Sequence, residues 1–572
     1  MQPSLAQRFG STTVACCLFA AAWPTAACAE NPDPTAKIAA RVDAYLTPLV
    51  DSGLFSGAVL VARNGRILVQ SAYGAAHVAS HVDNTPQTRF KLMSVSKTLT
   101  AVALMTLVEK GELELEDPAA KYLAKWPAAW HAVTLRHLLS HTSGIPNLEL
   151  DWSRLMPEAE GRDIDRWPRL AAGLGERSLV FPPGERTSYS NFNFILLGLV
   201  IEAVSGHAYG DYLQSAVLDP AGMENTGIDD GGRFEGLAMG YFRGNGGKLD
   251  ESEQNMSMIR AAGGFFSSVG DLYRFDRALH RNDLLSAETR QLMWTPVTQA
   301  FAHGWQISRW HDRRLIHHSG GSNGFVADFL RLPDDDACIV VLSNFAFAPI
   351  KQISRDLAAI LFGEPHATPH PLSASRLTAF AGLYRAPNHP HRSLLIRPSG
   401  SALLLFDIGT RSDRIGGRLL FPSGPDRFMM PRSAGQLQFV RGDQGSGFDL
   451  YLQQGANETV MERVTVPRQS WRRTLGTYSI QPAPSPPVEL LETGEQLRLR
   501  GEGGWPDVEL VPLSESQAVG LWRETLGTVL RLTGDGGTAT DAATASGGAP
   551  QAFEWLRIDN VKMYGVRTGA GR

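Results

Sequence analysis

From Thr98 to Glu109 the chain is apolar on nearly every side, with Leu99, Val102, Ala103, Leu104, Leu107 and Val108 spread around the helical turn until Gly111 stops it. A helix without a polar face must be enclosed on all sides, so the fold has to supply other layers to wrap it. The helix is entered through Phe90-Lys-Leu-Met-Ser-Val-Ser-Lys-Thr-Leu-Thr-Ala101, in which Ser94 and Lys97 stand three positions apart. Whatever this pair does, it does at the first turn of a central, buried helix.

The layers can be read on either side of it. Residues 35–50 predict an amphipathic helix with Ile38, Val42, Leu46 and Val50 on one face. Gly57-Ala-Val-Leu-Val-Ala, Asn64-Gly65 and Arg66-Ile-Leu-Val-Gln predict a hairpin, because both turn residues tolerate positive φ. A short helix is expected within Thr134–Gly144, a second apolar helix over Asn193–Val204 before Gly206, and a glycine turn feeding a capped helix after Gly263-Gly264. Strand patterns return at Leu315-Ile-His317, Gly324–Leu330 and Cys338–Ser343, with Asp334-Asp-Asp336 as a solvated hairpin tip and Lys351–Phe362 as a last helix. Strands at both ends with helices between them predict an α+β catalytic domain over residues 30–365. It would hold one antiparallel sheet assembled from distant segments, helices on its faces and a helical insert in the middle.

Residues 1–29 should not be read as fold. Arg8, the apolar run Val14–Ala22 and the small residues Ala27-Cys28-Ala29 form a signal-peptide pattern, with a lipoprotein signal on Cys28 as the rival reading. The run is too short to span a bilayer, so a periplasmic or secreted protein without a transmembrane segment is expected. The signal takes Cys16, Cys17 and Cys28 with it, leaving Cys338 in an apparently buried strand and no internal disulfide. A net charge of −4, from 54 basic and 58 acidic residues without a basic block, excludes a nucleic-acid surface. A proline-rich linker at Gly363–Leu372 then introduces short alternating strands. The openings Phe380-Ala-Gly-Leu-Tyr384 and Leu475-Gly-Thr-Tyr478 echo one another. Two related small all-β domains, barrel or sandwich, are expected over 373–467 and 468–572, against one longer β-domain with a chance echo. The Gly- and Ala-rich stretch Asp535–Pro550 is expected to be a mobile loop.

The chemistry lies in three places. A serine hydroxyl needs an adjacent base, and Lys97 one helical turn from Ser94 brings the Cβ atoms within about 5–6 Å. Helix-start N–H groups favour negative charge on Ser94 Oγ, and burial lowers a lysine pKa towards a usable base. Tyr189 stands between the turn Phe181-Pro-Pro-Gly184 and the helix from Asn193, where its phenol could carry a proton if a cation lowers its pKa. Asn191 could bond Lys97 and a substrate amide. His318-Ser-Gly-Gly321 ends a strand with glycines that allow close approach, so the Gly321 and Ser94 N–H groups could form an oxyanion hole. His318 could assist Tyr189 or meet a substrate carboxylate, titrating near ~6.5 before any shift, while His317 points to the other sheet face. No cofactor is implied, and adjacent strand histidines do not converge on a metal.

With Phe90–Thr100, Leu138-Leu-Ser-His-Thr-Ser-Gly144, Phe181–Gly184, Tyr189-Ser-Asn191, Gly263-Gly264 and His318–Phe325 in this order, the chain resembles the class C β-lactamase and penicillin-binding-protein family of serine hydrolases over residues 35–362. The resemblance implies an acyl-enzyme on Ser94, proton exchange by Lys97 and Tyr189, and an oxyanion hole of Ser94 and Gly321. His318 stands where lysine is usual, as in the D-aminopeptidase and esterase branch, whose layout with two β-domains the chain is also similar to. The expected function is a serine hydrolase of small amides, such as short peptides with a D-residue. The alternatives are an esterase on the same site, and a penicillin-binding protein or weak β-lactamase with peptidoglycan fragments as partners. Oligomeric state stays open. Ser94→Ala should abolish covalent labelling by a phosphonylating probe without unfolding the protein. Mass spectrometry placing the adduct on Ser96 or Ser190 would reassign the nucleophile.

Overall fold

The computed structural model describes residues 34–146, 167–174, 177–229, 234–243, 248–252, 256, 259–322, 324–366 and 370–387, and beyond these chiefly the strands of two barrels. The signal segment 1–29, most of the insert 145–180 and the Asp535–Pro550 stretch lie outside the described residues. The elements that place the site are α1 (Pro34–Asp51), β1 (Gly57–Arg63), β2 (Arg66–Tyr73), α2 (Ser96–Glu109), α3 (Leu135–Leu139), α4 (Asn191–Ser205), α5 (Val269–Arg281), β3 (Gln306–Trp310), β4 (Arg313–Ser322), β5 (Phe325–Leu332), β6 (Ala337–Ser343) and α6 (Ile350–Phe362).

The six strands form one antiparallel sheet in the order β3-β4-β5-β6-β1-β2. The two ends of the domain meet where β1 pairs with β6, from Gly57↔Ser343 to Arg63↔Ala337. Asn64 and Gly65 turn the β1–β2 hairpin with φ of 52° and 70°, as their composition predicts. Alternation along the strands divides the core into two layers. Leu60, Phe329, Val340 and Leu342 face α2, α4 and α5, whereas Val59, Val61, Ile339 and Val341 face α1 and α6. The enclosed helix is α2, with every residue from Ser96 to Leu107 buried. Cys338 is buried in β6, and that burial pushes its thiol pKa well up, which leaves it inert.

Two details differ from expectation. The Asp334–Asp336 tip is ion-paired: Asp334 meets Arg314 at 2.8 Å, Asp335 meets Arg313, and Asp336 meets Arg277 at 2.7 Å. A short helix, Ala374–Phe380, also precedes the first β-region, its start capped by the Ser373 side chain accepting from the Arg376 N–H. It forms there because Leu377 and Phe380 plug the barrel, Phe380 stacking on Phe439 at 4.5 Å and Tyr384 donating to the Phe380 carbonyl at 2.7 Å. The strands between Gly382 and Val464 close into one barrel and those between Gly476 and Ala570 into another. Each is sealed by pairing its first strand with its last, at Leu383↔Val464 and Gly476↔Ala570.

The first barrel docks on the far side of the sheet from α2. Its Ala402 and Phe421 join the layer that holds α1 and α6, and Ser401 Oγ donates to the Ser52 carbonyl at the end of α1. A chain ending at residue 372 should therefore fold and still be labelled at Ser94, and a small-ester kcat should stay within about tenfold. Losing the cover that Ala402 and Phe421 give the α1–α6 layer should show as a lower melting temperature. A truncated protein that melts cooperatively but no longer labels would place part of the site beyond the linker.

Candidate active site

Met93–Val95 forms a single 3-10 turn that leads directly into α2. Met93 takes φ 51°, which costs a non-glycine residue strain of order 1–3 kcal/mol and persists only where packing enforces it. Gly320 packs directly against the turn: a Cβ there would lie 2.2 Å from the Leu92 carbonyl oxygen and 2.8 Å from the Ser94 nitrogen. Ser96 is turned away and buried, its Oγ accepting from the Phe265 N–H at 3.2 Å, so it ties the turn to its neighbour strand.

Lys97 is fully buried, with Nζ 3.1 Å from Ser94 Oγ, 2.9 Å from Asn191 Oδ1 and 2.5 Å from the Ala262 carbonyl oxygen. Burial pushes its pKa well below the ordinary lysine value, which makes the free amine accessible as a base. Asn191 opens α4, and Tyr189 ends the segment before it. The Tyr189 hydroxyl donates to Ser94 Oγ at 2.7 Å, and its ring centroid lies 5.0 Å from Lys97 Nζ. As a residue Tyr189 is 36% exposed, but its hydroxyl end is enclosed, and desolvation raises the phenol to about 12 despite the opposing bond to Ser94. This corrects the expectation of a cation-lowered phenol. At rest Tyr189 is a neutral donor, and the base is Lys97.

Strand β4 contributes the opposite wall. Ile316, His318 and Gly320 alternate onto the α2 side, whereas Leu315, His317 and Ser319 alternate onto the α6 side. His317 is held there by Ser308 Oγ at 2.9 Å, facing away from the site as expected. His318 is buried, and its Nδ1–H donates to the Ser319 carbonyl at 2.9 Å, which leaves Nε2 as an acceptor. Burial first, then positive charge at Lys97, lower its pKa to about 3, outweighing the Ser319 bond. The imidazole is therefore neutral at physiological pH, and the expected titration near ~6.5 is corrected.

Gly321 lies at an open edge. β3 pairs with β4 only from Arg313 to His317. The closing pairs Trp310↔Arg313 and Ser322↔Phe325 both fix the phase of the ladder. In either hairpin the main-chain groups of Arg313, Leu315, His317, Ser319 and Gly321 point away from β5, so the Gly321 N–H faces the edge that β3 leaves uncovered. Sequence reasoning passed over His141, whose ring centroid lies 4.3 Å from that of Tyr189. Its one signal was its place within Leu138–Gly144. Among the described residues no cluster of three or more His, Cys, Asp or Glu could hold a metal ion.

The pH dependence follows from these shifts. Activity needs Lys97 deprotonated, so kcat/KM falls as pH drops through its lowered pKa; it needs Tyr189 protonated, so the alkaline loss waits until about pH 12. His318→Gln should leave the acid limb in place, because that imidazole titrates at about 3. Lys97→Ala should lower kcat by ~10²–10⁴ and remove the limb from the residual rate. A limb that disappears in His318→Gln would return the titration to the imidazole.

A β-lactamase family model matches residues 42–360. Penicillin-binding protein 4* of Bacillus subtilis (strain 168) is 28% identical over 442 residues, covering 71% of this chain and 94% of that protein. Among solved structures, the octameric penicillin-binding protein homologue from Pyrococcus abyssi shares the fold with a TM-score of 0.54 at 23% identity, over 74% of this chain and 99% of that one. SurE is similar with a TM-score of 0.51 at 25% identity, over 75% and 99% of the two chains. With the match spanning the enclosed helix, the turn bearing Ser94 and the strand bearing His318, the chain belongs to the β-lactamase family of serine hydrolases.

Proposed function

We propose that the protein hydrolyses small uncharged amides, short peptides with a D-residue foremost, through an acyl-enzyme on Ser94. The observation that carries this reading is the convergence on Ser94 Oγ of a buried amine at 3.1 Å and a neutral phenol at 2.7 Å. Lys97 Nζ takes the Ser94 proton as Oγ bonds to the substrate carbonyl carbon. The resulting oxyanion lies between the Ser94 and Gly321 N–H groups, donors worth roughly 3–4 kcal/mol each in such sites. Tyr189 gives its proton to the leaving nitrogen, the C–N bond breaks, and the proton on Lys97 restores the phenol. Water repeats the sequence on the ester carbonyl, and Ser94 Oγ recovers its proton. Esters fit the same steps with an easier leaving group.

His318 supports this substrate class. A neutral imidazole offers no fixed charge to a carboxylate, which favours substrates whose acyl neighbour is an amide or a blocked end. The similarity to penicillin-binding protein 4* supports a second reading, in which the protein is acylated by β-lactams or peptidoglycan fragments and turns over slowly. The signal pattern in residues 1–29 supports a periplasmic or secreted location for either activity.

Paired D- and L-p-nitroanilides and p-nitrophenyl esters, each with a free carboxylate and as the carboxamide, together with nitrocefin, separate the readings. Many turnovers on D-carboxamides, with the free carboxylates at least about tenfold poorer in kcat/KM, or ~1.4 kcal/mol, support the first. One equivalent of product released in a burst, with nothing after it, supports the second.

A further inference from the structure

We propose that His141 is a positioning residue that fixes the aim of the Tyr189 hydroxyl at Ser94. The inference rests on the reading of Tyr189 as proton carrier and assigns the group that holds it in place. Tyr189 needs such a group: it sits on an irregular segment between the Pro182-Pro183 turn and α4, and it is 36% exposed as a residue, so the enclosure of its hydroxyl end alone does not fix the ring.

His141 reaches it because α3 ends at Leu139 and the chain turns sharply. The residue takes φ 58°, uncommon for a side chain other than glycine, and its N–H donates to the Leu138 carbonyl at 3.4 Å. From there it holds the Tyr189 segment on both flanks. Its carbonyl accepts the Ser188 N–H at 2.9 Å, and its ring Nδ1 accepts the Ser190 N–H at 3.3 Å. The imidazole itself lies against the phenol, with centroids 4.3 Å apart and planes at 34°. Phe194 at 5.3 Å and Phe301 at 5.1 Å also pack against the ring. Tyr189 is thus bonded before and after by one residue and covered by that residue's ring.

The arrangement works for a single protonation state. An Nδ1 that accepts from an N–H must be unprotonated, which puts the ring hydrogen on Nε2. An imidazolium would set one donor against another at Ser190 and release that flank. Burial first, then the repulsion a proton here would meet from Lys97 and His318 whenever those are protonated, lowers the His141 pKa well below its ordinary value and keeps the acceptor in place.

The test is a double-mutant cycle between His141 and Tyr189, using His141→Phe, which keeps the ring, and His141→Asn, which can keep an acceptor. Each should lower kcat by about tenfold to a hundredfold with KM unchanged, less than the ~10²–10⁴ expected for losing the proton transfer outright. In a Tyr189→Phe background the same substitutions should change kcat by less than about twofold, because no phenol is left to aim. Multiplicative losses in that background overturn the positioning role, since a merely structural histidine costs the same with or without the hydroxyl. A Tyr189→Phe protein with wild-type kcat instead withdraws the reading of Tyr189 and leaves the clamp a structural feature. Independently of any variant, ¹⁵N shifts of the intact protein at neutral pH should show the His141 hydrogen on Nε2, and a hydrogen on Nδ1 overturns the proposal.

Discussion

Lys97 is buried with oxygen partners and, among the described residues, no carboxylate to offset it, and much of the catalytic domain is the answer to that demand. Removing an ammonium from water costs several kcal/mol even after relaxation, so the group stays neutral or is surrounded by acceptors. Here both solutions are used. Three different elements deliver the oxygens: the turn before α2 gives Ser94 Oγ, the first residue of α4 gives Asn191 Oδ1, and the chain before Gly263 gives the Ala262 carbonyl. Holding those elements together in dry surroundings takes an apolar helix enclosed on every side. The composition of α2 and the chemistry of its first turn are one constraint seen twice.

The same dryness sets the other groups. The phenol of Tyr189 is driven up and the imidazoles of His141 and His318 are driven down, each first by desolvation, so all are uncharged when the site is empty. Positive charge at Lys97 further lowers both imidazoles. The site therefore accommodates one mobile positive charge and resists a second. Proton movement can be confined to the serine, the lysine and the phenol, while the histidines act through lone pairs and shape.

What the sequence disclosed depended on how local each cause was. Ser94, Lys97, Tyr189, Asn191 and His318 could be named because residue type and short spacing carry their signal, and the structure brings them together around Ser94 Oγ and the strand behind it. The Asn64-Gly65 turn was legible for the same reason. Burial-driven effects were not. Whether a histidine titrates near 6.5 or near 3 depends on what packs over it, and nothing near His318 in sequence reports that. The positive φ of Met93 goes with the close approach of Gly320, a residue far along the chain. The helix at Ala374–Phe380 was missed because its apolar residues are few and face a barrel that exists only after its strands have closed.

Strand β3 stops opposite His317, and this early ending has a consequence for handedness. An extended acyl chain laid along the uncovered margin of β4 would meet the sheet through its main chain, as a neighbouring strand does, and its direction would then be fixed. With the scissile carbonyl pinned over Ser94, inverting one α-carbon moves its side chain from one wall of the cleft to the other while the backbone stays in place. Under that geometry chirality would be read by which wall has room, a question separate from the distances around Ser94 Oγ.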